Sequence, residues 1–206
     1  MPDAVFITFE GGEGSGKTTQ IKRLCAYFRE KDLKVAFFRE PGSTTISEQI
    51  RNILLHHDGL IAPETELFLY CAARAQLVTE KLRNAIYEND VVVCDRYADS
   101  TLVYQGIGLG LGIDKIKSIV EYGMCGVVPD MTFFLDVSPQ VGLSRICGEK
   151  DRIESRELDF HETLRQGYLS LADMFPDRYK VIESMGIDET TAVIRQYIEV
   201  ANVVKN

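Results

Sequence analysis

The sequence predicts an α/β fold in three layers, a five-stranded parallel sheet covered on both faces by helices. Short apolar runs at 4–9, 34–38, 91–94, 131–135 and 179–182 have the length and continuity of buried strands. Amphipathic stretches of helical length alternate with them, at 17–31, 46–56, 63–89, 101–106, 113–124, 139–147, 158–175 and 188–204. That alternation implies parallel pairing with helical crossovers. No repeat, low-complexity tract or Pro-rich linker interrupts the 206 residues, so a single domain over 1–206 is expected.

In such sheets ligands bind beyond the carboxyl ends of the strands. Those ends carry charge: Glu10-Gly11, Arg39-Glu40-Pro41-Gly42, Asp95-Arg96-Tyr97 and Asp136. The whole chain is acidic, with 31 Asp plus Glu against 23 Lys plus Arg and a net charge of −8. This argues against a nucleic-acid partner, which needs a basic surface. It leaves room for a focused pocket in which Lys17, Arg51, Arg74, Arg96, Arg145 and Arg152 converge on small anions. No apolar run reaches the ~18–20 residues that cross a bilayer, and the first residues lack a basic n-region and a cleavage site. Cysteines 25, 71, 94, 125 and 147 are scattered and form no C-x-x-C, which suits reduced thiols in a cytoplasm. His56, His57 and His161 show no ligand spacing and read as surface residues.

After the first strand comes Gly11-Gly12-Glu13-Gly14-Ser15-Gly16-Lys17-Thr18, a full G-x-x-x-x-G-K-[ST] match between a strand and a helix. Glycines let backbone N–H groups converge on a phosphate chain, and the helix opening near Lys17 adds its positive end. Lys17 can reach the β- and γ-phosphates, and the Thr18 hydroxyl can ligate Mg²⁺. The loop makes this a nucleoside triphosphate site and the fold that of a P-loop NTPase. The guanine motifs N-K-x-D and D-x-x-G are absent, and so is the protein-kinase H-R-D. Asp95, closing the third strand, has the position of a metal-holding acid. Asp136 competes for that role, but Arg96 beside Asp95 suits a second phosphate group and favours Asp95.

The long helix at 63–89 carries Leu67, Cys71, Val78, Leu82 and Ala85 as one apolar stripe, and Arg74 falls within it. A charge there must be paired or hydrogen-bonded. Two readings fit: a buried Arg–carboxylate pair, or a base platform in which Tyr70, four residues earlier, stacks while Arg74 reads the edge. Phosphoryl transfer between two polyphosphates also demands more positive charge than Lys17 and one Mg²⁺ supply, and the loop holds no arginine. The stretch from about 145 to 157 contains Arg145, Lys150, Arg152 and Arg156 and reads as a short mobile lid, with Arg145 and Arg152 as its catalytic candidates. The same spacing fits a solvated, salt-bridged helix surface. The final stretch at 188–204 reads as an amphipathic cover for the sheet.

FEGGEGSGKTTQ, REPG at 39–42, YCAARAQ at 70–76, DRYADST followed by YQG at 95–106, and DRIE at 151–154 together resemble the bacterial thymidylate kinases over essentially the whole chain. The resemblance implies a cytoplasmic homodimer that moves a phosphoryl group from ATP to dTMP with Mg²⁺. It implies that Tyr70 stacks on thymine, Arg74 donates to its O4, and Thr101 and Gln105 meet the base edge. Tyr104 would lie near C2′, Arg51 and Arg96 would hold the monophosphate, and Glu13 and Glu40 would lie near the 3′-hydroxyl and the metal's water shell. Ser100, inside the DRYADST motif, joins this acceptor set. The sequence departs from the pattern at Ser43, where many relatives have a second glycine after REPG.

Overall fold

The computed structural model describes residues 4–149, 151–201 and 203. Five strands form one all-parallel sheet: β1 (Val5–Glu10), β2 (Val35–Arg39), β3 (Val91–Asp95), β4 (Met131–Asp136) and β5 (Tyr179–Glu183), in the order β2-β3-β1-β4-β5. Every neighbouring pair is parallel, and each strand leads to the next in the chain through a helical crossover, as parallel strands require. The charged residues expected after the strands are their last residues. Register then places them side by side, Arg39 opposite Asp95, Asp95 opposite Phe9, and Glu10 opposite Phe134. One end of the sheet is therefore a row of charge.

Alternation along the strands divides the core in two. Ile7, Phe9, Val91, Val93, Phe133 and Leu135 pack against α1 (Lys17–Glu30) and, later in the chain, α9 (Ile187–Val200), through Leu24, Phe28, Ile194 and Ile198. Phe6, Val92, Cys94 and Phe134 face the other layer, with Leu77, Leu82, Val103, Leu164 and Tyr168. That layer comprises α2 (Thr45–His56), α3 (Pro63–Leu77), α4 (Arg83–Glu88), α5 (Ala98–Thr101), α6 (Ile113–Gly123), α7 (Pro139–Ser144) and α8 (Leu158–Met174).

The helix expected at 63–89 runs almost its full length, but Val78–Leu82 widens into a π-helical turn between α3 and α4. The segment expected at 101–106 begins earlier, as α5, and continues as a π-helical stretch over Leu102–Gly108. Such insertions re-aim side chains within one helix and gather at functional sites. α7 stops at Ser144 and α9 at Val200, short of the expected ends, and Val204 lies outside the described residues. Between α7 and α8 the described residues form turns rather than a solvated helix, and Ile153 is buried. Lys150 lies outside the described residues.

Candidate active site

The glycine loop leaves β1 and enters α1 through Gly16 at φ +94°. Lys17 is buried, its ammonium donating to Gly11 O at 3.0 Å, Gly12 O at 2.9 Å and Ser15 Oγ at 3.3 Å. The loop's own oxygens thus hold the cation against the loop. Burial and the nearby Arg96 charge lower the Lys17 ammonium to about 8, against the pull of Glu13 and Asp95. Gly14, at φ +66°, lies so close to α7 that a Cβ would run into Gly142 O, and a Cβ on Gly142 would run into Glu13 O. This glycine-to-glycine approach brings Arg145, just after α7, to donate to Gly14 O at 3.2 Å.

A cleft of about 650 Å³ opens over the loop, lined by Gly14 to Gln20, Asp95, Arg96 and Arg145. The Asp95 carboxylate enters it, and among the described residues no hydrogen bond or ion pair takes that carboxylate up. Asp136 is engaged elsewhere, paired with Arg165 at 2.6 and 3.0 Å. Thr18 is exposed at the same cleft. A hydroxyl and an unengaged carboxylate facing one phosphate loop are a donor set that suits Mg²⁺.

A second, narrower pocket adjoins the cleft and shares Glu13, Glu40, Arg51 and Arg96 with it. Tyr70, Arg74, Ser100, Thr101, Tyr104 and Gln105 complete it, so the acceptor residues expected from the sequence line one space. Arg74 is paired with a buried carboxylate, as the first of its two readings expects. Its Nε donates to Glu40 Oε2 at 2.8 Å, and its Nη2 to Thr101 Oγ1 at 2.8 Å and Tyr97 O at 3.1 Å. Its Nη1 and the Glu40 Oε1 are buried without a partner, the atoms that an incoming polar ligand would satisfy.

Arg96 stands between the two spaces. Its backbone is left-handed, φ +67°, although it is not glycine. Nη2 donates to Glu13 Oε1 at 2.6 Å and Nη1 to Gly11 O at 2.9 Å, while the guanidinium lies 5.2 Å from the Tyr104 ring centre. Tyr104 also donates to Glu13 Oε1, at 2.9 Å. Burial pushes the Glu13 carboxyl up, but Arg96, Lys17 and the Tyr104 hydrogen bond outweigh it and hold the group down at about 2. Glu13 is therefore an ionised acceptor over the whole working range. Arg51 reaches Pro41 O at 3.2 Å, facing both spaces.

Arg152 is placed differently from the sequence expectation. Its Nη2 donates to Glu66 Oε2 at 2.5 Å and its Nε to Leu54 O at 2.8 Å, behind the second pocket, and it does not line the phosphate cleft. A buried carboxylate captures it, and Gln105 binds the other oxygen of Glu66 at 2.8 Å. His161 is buried rather than exposed, because α8 folds it beneath the loop beside Gly12 and Glu13. Sequence reasoning missed Glu66, and it missed Tyr168, whose hydroxyl lies 3.3 Å from Arg96. Glu66 was detectable, since it precedes Tyr70 by one helical turn. Tyr168 gave no local signal.

A sequence model of the thymidylate kinase family matches residues 9–194. The chain belongs to the thymidylate kinase family. The thymidylate kinase of Thermoanaerobacter sp. (strain X514) is 43% identical over 196 residues, covering 95% of this chain and 96% of the relative. That of Caldanaerobacter subterraneus subsp. tengcongensis is 41% identical, covering 94% and 93%. The crystal structure of thymidylate kinase from Ehrlichia chaffeensis superposes with a TM-score of 0.80 at 31% identity, covering 96% of this chain and 99% of that one. The chain is thus a kinase with the P-loop fold. The structure also accounts for its departure from the family pattern at Ser43. That residue sits at φ +70°, where glycine is at ease, and is held by its Oγ accepting from Arg39 N at 2.9 Å and its N–H donating to Glu48 at 2.7 Å.

Proposed function

We propose that the chain transfers the γ-phosphoryl group of ATP to dTMP with Mg²⁺, giving ADP and dTDP on the route to dTTP. The observation that carries this reading is the spare Arg74 Nη1 in a pocket that opens through Arg96 onto the glycine loop. Thymine presents an acceptor at position 4, and cytosine presents a donor. A donor-only guanidinium favours the first and leaves the second with donor facing donor in a dry pocket.

The loop N–H groups and Lys17 hold the ATP phosphates, and Arg51 and Arg96 hold the acceptor phosphate across the shared wall. Thr18 and Asp95 would hold Mg²⁺, which neutralises phosphate charge when bound. Arg145, already at Gly14, supplies the lid cation, and 145–157 forms the lid that excludes water. Glu13 and Tyr104 bracket the sugar, Glu13 accepting from the 3′-hydroxyl. No base is required, because the monophosphate is already ionised near neutral pH. Attack is in line, and the charge spreading over the transferring group meets Lys17, Arg96 and Arg145. We also propose a cytoplasmic homodimer, supported by the exposed Phe68 of α3 and Tyr122 of α6. No helix of the described residues is long and apolar enough to cross a membrane.

Coupled ADP release measured with dTMP, dUMP, dCMP, dGMP and dAMP decides the acceptor. dTMP should be preferred over dCMP by ~10³-fold or more in kcat/KM, and preference for another acceptor refutes the assignment. The lowered Lys17 predicts a second result. Its ammonium loses its proton as pH rises through about 8, so kcat/KM for ATP should fall above that pH as one group titrates. A flat profile to pH 9.5 would count against a charged Lys17 receiving the phosphates.

A further inference from the structure

Glu10 ends β1 fully buried, and nothing above gives it a task. A buried carboxylate is costly unless its oxygens are hydrogen-bonded. Oε1 accepts from the Tyr97 backbone N–H at 2.8 Å, and Oε2 from the Ser100 hydroxyl at 2.6 Å and the Tyr168 hydroxyl at 3.1 Å. These partners share a neighbour. Tyr97 follows Arg96, whose left-handed backbone is strained for a residue with a Cβ. The Ser100 and Tyr168 oxygens each lie 3.3 Å from Arg96 Nη1, and 2.8 Å from one another. A hydroxyl that points its hydrogen at a carboxylate turns its lone pairs elsewhere. Here two hydrogens serve the three contacts among Ser100, Tyr168 and the carboxylate, one of which links the two hydroxyls, and the lone pairs left over turn to the guanidinium.

We propose that Glu10 is a positioning residue for the acceptor phosphate: it pins the main chain after Arg96 and orients two hydroxyls that aim the Arg96 guanidinium. This rests on the assignment of Arg96 to the acceptor phosphate. The strain at Arg96 and the burial of Glu10 then have a common purpose, since a guanidinium fixed before substrate arrives loses little freedom on binding. Behind Glu10 the arrangement is braced again, with Asp99 of α5 paired to Arg178 at 2.6 and 3.0 Å.

Glu10→Gln keeps the side-chain volume and an acceptor for Tyr97, but turns an amide donor onto the two hydroxyls. KM for dTMP should rise about tenfold or more with a fall in kcat, while KM for ATP stays within about twofold. The thermal midpoint should move by no more than about 5 °C. A carboxylate that only fills the core would lower the midpoint and shift both KM values together. In an Arg96→Lys background, Glu10→Gln should add less than about threefold, because the group it aims has already been changed. Losses that multiply, an unchanged KM for dTMP, or equal rises in both KM values overturn the proposal. If Glu10→Gln does not fold, Tyr168→Phe decides: KM for dTMP should rise about threefold with ATP unaffected, and no rise overturns it. Turnover of dTMP by the unaltered protein is the control. Its absence removes the assigned reaction itself, whereas its presence beside an indifferent Glu10→Gln removes only this inference.

Discussion

Lys17→Ala should lower kcat by about 10³-fold or more and leave dTMP binding, measured by calorimetry without ATP, within about threefold of the unaltered protein. The size follows from where the ammonium sits. It is buried at the mouth of α1 with three oxygens of its own loop as partners, so it is fixed in place before ATP arrives. On the proposed reaction, charge that spreads onto the transferring oxygens would be met by a group that needs no reorganisation, which is where electrostatic catalysis is strongest. The second pocket, by contrast, does not include Lys17. Folding should survive, because burial disfavours this cation and its removal relieves that cost. A variant that retains more than a tenth of the turnover, or that loses dTMP binding as well, would contradict the division of labour between the two spaces.

The legible parts of this site were those in which chemistry and local spacing coincide. The glycine loop is contiguous, and its requirement for close backbone approach is written into consecutive residues. The strand-end charges were visible because apolar runs stop abruptly at Glu10, Arg39, Asp95 and Asp136, and the parallel register turns four separate stops into one row. Arg74 stood out as a charge in an apolar stripe. What spacing could not provide was the partner of each charge. Arg152 looked like a free lid cation until α3 put Glu66 behind it, a contact between residues 86 apart in the chain. His161 looked exposed because it lies in a polar helix start with no ligand spacing, yet the packing of α8 against the phosphate loop buries it. Tyr168 reaches Arg96 from 72 residues away, and its phenol could have served as plain core. Long-range pairing of this kind depends on how helices settle on the sheet, which a local pattern does not encode.

Arg74→Ala should act on stability and selectivity together, and the two effects separate by pH. The Arg74–Glu40 pair is almost wholly buried, with the two side chains 1% and 4% exposed. Removing one member of such a pair typically costs ~3–5 kcal/mol, because the other charge remains without a partner. Glu40 has an escape. Burial already pushes its carboxyl up to about 7, with Arg74 pulling the other way, and without Arg74 it must rise further. A folded-state value above the ordinary 4.5 gives stability that is fully present below that unfolded value and is lost as pH rises through the folded one. The variant should therefore unfold in denaturant at concentrations closer to those of the unaltered protein at pH 6 than at pH 8. An equal deficit at both values would mean that Glu40 keeps its charge. Selectivity is read at the lower pH, where the variant is best folded. On the proposed reading the guanidinium is the donor that rejects cytosine, so the ratio of kcat/KM for dTMP over dCMP should fall by about 10²-fold. Unchanged selectivity in a folded variant would leave Arg74 as a structural ion pair and move base reading to Thr101 and Gln105, which line the same pocket.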